Sequence, residues 1–115
     1  MAALPIRHIG PLSVSAIGLG CMNLNHAYGT PPSEADGIRL LQHALDAGVT
    51  FFDTAAIYGQ GNNERLVSKA IMHRRNAFVL ASKCVLDVQD GQRILNGHPD
   101  AIAKTLDQAL VRLNT

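Results

Sequence analysis

Apolar positions along this chain follow two rhythms. Val14 to Gly20, Val49 to Asp53 and Phe78 to Lys83 are short runs of apolar and small residues, each closing on a glycine or a charged residue. Such runs, bounded by turn signals, predict strands buried on both faces rather than half-exposed ones. Between them the apolar residues recur at helical spacing. Ile38, Leu41 and Leu45 form one stripe, with Ala44 beside them; Leu66, Val67, Ala70 and Ile71 form a second. Ile102, Leu106, Leu110 and Leu113 form a third, at spacings of four, four and three.

Helix signals frame these stripes. Ser33 is an N-cap with Asp36 three residues on, and Gly48 closes the first helix. Asn62 or Asn63 can cap the second, with Glu64 in its first turn and His73, Arg74 and Arg75 at its end, where the dipole favours cations. Pro99 suits the first turn of the third. Gly10-Pro11 between two short β-like pieces predicts an opening hairpin, and Asp87 to Gly97 reads as a long polar loop.

The order is therefore a hairpin followed by three strand–helix units. Alternating β and α predicts a parallel sheet with right-handed crossovers. An open dinucleotide-binding sheet would carry G-x-G-x-x-G leading into a helix after its first strand. Here Gly18-Leu19-Gly20 runs into Cys21-Met22-Asn23 instead. A closed (β/α)8 barrel places its chemistry at strand C-termini. That is where this chain places Asp53, Lys83 and, shortly after its strand, Tyr58, so the barrel is the expected architecture.

Composition narrows the partners. The chain has 115 residues, a formal net charge of +1 and no basic run, which argues against a nucleic-acid partner. No apolar stretch approaches the roughly 20 residues of a membrane span, and the first ten residues lack the layout of a signal peptide. Cys21 and Cys84 show neither metal spacing nor a disulfide framework, and the five histidines are scattered without ligand spacing. A reduced, cytoplasmic protein without a metal is the expectation. Charged residues make up 17% of the chain, below the usual quarter, as in an inner piece of something larger.

An acid, a phenol and an ammonium at neighbouring strand ends form a proton-transfer set. A free phenol, with a pKa of about 10, gives up its proton sluggishly at neutral pH. An ammonium a few ångströms away stabilises the phenolate, and a carboxylate keeps that ammonium charged. Lys83 and Asp53 can play these parts for Tyr58, which could then protonate a carbonyl oxygen while a bound hydride donor attacks the carbon.

These residues carry a resemblance. VSAIGLGCMN (Val14 to Asn23), GVTFFDTAAIYGQGNNERLVSKAI (Gly48 to Ile71) and FVLASK (Phe78 to Lys83) resemble the N-terminal part of aldo-keto reductases, most closely the bacterial and plant NADP-dependent ones. The resemblance implies a single (β/α)8 domain of which residues 1–115 are the hairpin and first three β/α units, ending before strand 4. It implies NADPH as cofactor and a small aldehyde or ketone as substrate. Tyr58 would be the proton donor, Lys83 its activating partner and Asp53 the residue that orients Lys83. Gly20, Cys21, Met22 and Asp53 would meet the nicotinamide end of the cofactor. The family's fourth catalytic residue, a histidine closing the fourth strand, matches no histidine of this sequence. Three of eight units leave sheet edges open, so the 115 residues alone are expected to be unstable and inactive. A non-catalytic regulatory protein on the same fold, as in potassium-channel β-subunits, and a truncated product are the alternatives.

Overall fold

The computed structural model describes residues 3–115. Strands β1 (Ile6–Ile9) and β2 (Leu12–Ser15) form the expected antiparallel hairpin. A separate parallel sheet has the order β3 (Leu19–Gly20), β4 (Phe51–Ala55), β5 (Val79–Lys83). Helix α1 (Glu34–Asp46) lies between β3 and β4, and α2 (Asn62–Ile71) between β4 and β5. After β5 come a second hairpin, β6 (Leu86–Gln89) with β7 (Gln92–Leu95), and the long helix α3 (Pro99–Leu113).

Local chemistry explains the boundaries. The Asp36 N–H donates to the Ser33 hydroxyl at 3.1 Å, so Ser33 caps α1 as expected. Gly48 takes φ +97° at the exit, a left-handed conformation that most side chains resist. Pro99 occupies the first turn of α3, behind His98, whose ring accepts the Asp100 N–H at 3.2 Å.

Four expectations need correction. The single strand from Val14 to Gly20 is broken after Ser15. There the Ser15 hydroxyl donates to the Ile17 carbonyl at 2.6 Å, giving the backbone a local alternative to the ladder. The polar stretch from Asp87 to Gly97 is largely a β-hairpin. Asp90 and Gly91 both take positive φ, 50° and 75°, the two-residue turn that an Asp-Gly pair favours. Helix α2 is preceded by Gly61, not Asn62 or Asn63, as its N-cap, and His73, Arg74 and Arg75 lie beyond it in a 3-10 segment, Met72–Ala77. The strands are not covered on both faces throughout. Central β4 buries Phe52, Thr54 and Ala55, whereas flanking β3 and β5 keep exposed positions such as Gly20 and Lys83.

The core lies between the sheet and the helices. Phe52 and Phe78 meet edge to face at 5.6 Å, and Leu41, Leu45, Leu66, Val67 and Ile71 close over them. Helices α1 and α2 approach closely because α1 offers Gly37. A Cβ there would stand 3.0 Å from Leu66 Cδ2. This packing holds one face of β4 rigid while its other face carries Asp53.

Candidate active site

Residues alternate across a strand, so Phe52 and Thr54 turn into the core and Asp53 turns away from it. Asp53 pairs in register with Ala81, and Lys83 with Ala55 two residues further along. The lysine reaches back across that offset. Its Nζ donates to Asp53 Oδ2 at 2.5 Å and to the Thr54 carbonyl at 3.1 Å. The chain then leaves β4 through Ile57 and enters a tight turn, Tyr58–Gly61, in which Gly59, Gln60 and Gly61 all have positive φ. That reversal returns Tyr58 over the strand end, with Lys83 Nζ 4.8 Å from the centre of its ring. Asp53, Tyr58 and Lys83 are thus brought together.

Opposing influences act on Lys83. Partial burial pulls its pKa down, but hydrogen bonds to Asp53 and Tyr58, together with their attraction, outweigh this and raise it above the ordinary 10.5. The ammonium therefore keeps its charge throughout the neutral range. With about half of the Lys83 side chain exposed, this pair positions groups more than it stabilises the fold.

The remaining expected residues divide. Gly20 pairs with Asp53 in register, and nothing stands within 4 Å of where its Cβ would be, so the strand end is open beside the acid. Met22 is half-buried in a 3-10 turn, Met22–Leu24, and its carbonyl accepts the N–H groups of Asn25 and His26. Cys21 donates its N–H to the Asp53 carbonyl at 2.9 Å, but its side chain is wholly buried. Only its backbone can face a ligand.

Burial and, secondarily, the charge of Asp53 push the Cys21 thiol up to about 12 from 9.0. A thiol that ionises at higher pH when folded favours the fold fully below 9.0. The unfolded chain releases that proton first, so this stability is lost progressively as pH climbs from 9.0 towards about 12. Between pH 7 and 10 the wild type should lose about 1 kcal/mol more than Cys21→Ala. Urea midpoints of the two proteins at both pH values measure the difference, and equal losses would refute it.

The turns around the site are fixed by a buried polar network that sequence reasoning did not find. Asn63 is fully buried in the first turn of α2. It accepts the Thr54 hydroxyl at 2.6 Å and donates to the Cys21 carbonyl at 2.8 Å and to Asn25 Oδ1 at 2.7 Å. One amide thereby ties β4 to the segment following β3. Its neighbour Glu64, also fully buried, accepts the Ser82 hydroxyl at 2.7 Å and pairs with Arg112 of α3. His26 was missed too: its ring stacks on Tyr58, 5.8 Å between centres. The Asn-Asn-Glu run after a double-glycine turn was a visible signal for the first two, but helix-start polar residues normally read as caps. A cavity of about 180 Å³ between the β6–β7 hairpin and α3 lies beside this site, lined by Ile57, Gln60, Asp87 and Arg112, and includes none of Asp53, Tyr58 or Lys83. No helix among the described residues is long and apolar enough to cross a membrane.

Parallel strands alternating with helices, with polar groups gathered beyond the strand C-termini, define an α/β protein that carries its chemistry on the loops after its strands. Residues 16–115 match the sequence profile of the aldo/keto reductase family, and the chain belongs to that family of oxidoreductases. It is 41% identical over 115 aligned residues to the NADP(+) aldo-keto reductase yakc of Schizosaccharomyces pombe, covering 96% of this chain and 34% of that protein. It is 36% identical to a probable aldo-keto reductase of Glycine max, covering 88% and 30%. Among solved structures, the holo form of an aldo-keto reductase from Bacillus halodurans superposes with a TM-score of 0.85 at 33% identity, covering 97% of this chain and 37% of the other. A Klebsiella pneumoniae aldo-keto reductase solved with NADPH gives a TM-score of 0.73 at 28% identity, covering the whole of this chain and 37% of the other. The chain thus spans about a third of the curated relatives it matches.

Proposed function

We propose that residues 1–115 form the hairpin and first three β/α units of a single (β/α)8 domain, and that this domain reduces aldehydes or ketones with NADPH. The observation that carries the reading is the Lys83–Asp53 pair, which links two adjoining strands and lies against Tyr58. Tyr58 donates its hydroxyl proton to the carbonyl oxygen of the substrate. Lys83 stabilises the negative charge left on the phenol oxygen, and Asp53 holds the ammonium in place and charged. When bound, NADPH supplies the hydride that the carbonyl carbon accepts. The open strand end at Gly20, the backbone of Cys21 and Met22, and the Asp53 carboxylate would meet the nicotinamide end of that cofactor. Support for this cofactor comes from the NADP(+) designation of the yeast relative and the NADPH-bound bacterial structure.

The test is aldehyde-dependent oxidation of NADPH, followed by absorbance, in the protein as its cell makes it. Turnover is expected, and Tyr58→Phe should lower it by about 10²–10⁴ while NADPH still binds. Absence of turnover across short aldehydes and ketones, or turnover indifferent to Tyr58→Phe, would overturn the reading.

A further inference from the structure

His26 occupies the turn that follows β3, and its ring lies against that of Tyr58 with 23° between the planes. The turn that carries it is held at several points. The His26 N–H donates to the Met22 carbonyl at 2.9 Å, and the adjacent Asn25 side chain accepts a hydrogen bond from buried Asn63 at 2.7 Å. The two turns also lie close together: a Cβ on Gly59, next to Tyr58, would stand 3.1 Å from the Cβ of Asn25 and 3.5 Å from its carbonyl oxygen. The imidazole is therefore an anchored surface against which the phenol rests. The histidine-ring hydrogen bonds among the described residues belong to His8 and His98, not to His26. What His26 offers Tyr58 is the flat face of its ring.

We propose that His26 is a positioning residue for Tyr58. Its ring fixes the plane of the phenol so that the hydroxyl is presented at the strand end beside Lys83. A phenol free to swing about its side-chain bonds would spend less time aligned for proton transfer, and misplacement by about 1 Å can cost a hundredfold in rate. Offset aromatic packing is the interaction that resists such swinging, and it depends on a planar ring rather than on ring nitrogens. The proposal rests on the reading of Tyr58 as proton donor.

Two variants test it in the protein as its cell makes it. His26→Ala should lower kcat about tenfold while leaving KM for NADPH within about twofold. His26→Phe restores a flat ring and should bring kcat back to within about threefold of the parent. Unfolding midpoints of both should match the parent. A second readout needs no turnover: NMR of the protein labelled at tyrosine, with Tyr58→Phe assigning the Tyr58 ring signals. Those signals should keep their ring-current shift in His26→Phe and lose it in His26→Ala. Unchanged kcat and unchanged signals in His26→Ala would overturn the proposal, as would His26→Phe being as impaired as His26→Ala. If Tyr58→Phe retains turnover, the proposed function fails instead, and the tyrosine signals alone decide whether His26 orders the ring.

Discussion

Replacing Lys83 with methionine should reduce carbonyl turnover by at least about a hundredfold while barely moving the unfolding midpoint. The two halves of this result have different causes. Methionine keeps most of the aliphatic stem, so packing along β5 changes little. The pair it removes is half-exposed on the lysine side and 39% exposed on the aspartate side, and exposed pairs contribute only about 0–1 kcal/mol. The rate is another matter. Without the ammonium, the phenol loses the cation beside it as it gives up its proton, and Asp53 loses the group it holds at 2.5 Å. Steady-state kinetics and urea denaturation of the one variant measure both halves. A rate loss matched by a large fall in stability would mean that Lys83 serves the fold and not the chemistry.

Arg112 should behave in the opposite way. Its guanidinium pairs with Glu64, a carboxylate with no exposed surface, on a helix 48 residues earlier in the chain. Removing one partner of a buried pair leaves an uncompensated charge and costs about 3–5 kcal/mol. Arg112→Met should therefore destabilise the protein by about that amount, a large share of a typical stability of about 5–15 kcal/mol. Glu64→Gln added to it should recover most of the loss, because the neutral amide no longer needs a counter-ion and can still accept the Ser82 hydroxyl. Urea midpoints of the single and double variants measure the coupling. Additive losses would show that the carboxylate is not waiting on Arg112.

Much of this was legible from residue order. The strand-end acid, the phenol and the lysine stand out because each interrupts or follows an apolar run, and the runs themselves predicted parallel strands. The helices were visible from their stripes, and the cap at Ser33 and the first-turn proline at Pro99 from residue type alone. Features that depend on three-dimensional partners were not legible. Asn63 and Glu64 look like ordinary polar residues of a first helical turn; only the fold shows that Thr54, Ser82 and Arg112 surround them. His26 reads as a residue of a polar turn until the reversal at Gly59 to Gly61 brings Tyr58 against it. The β6–β7 hairpin was obscured because its strands are only four residues each and mostly exposed, in a stretch whose turn-forming pairs dominated the reading.

The register of β4 against β5 has a consequence for how this sequence can vary in length. Asp53 and Lys83 meet because Ala55 stands opposite Lys83, and each residue advances a strand by about 3.3 Å. Residues inserted in the exposed turn after α2 leave that alignment intact, since lengthening a surface loop costs little. A single residue deleted between Val79 and Ser82 would carry the ammonium to the opposite face of the sheet, towards the helices. Natural insertions and deletions should therefore collect in the turn after α2 and be purged from the two strands, whose length is the ruler of the site.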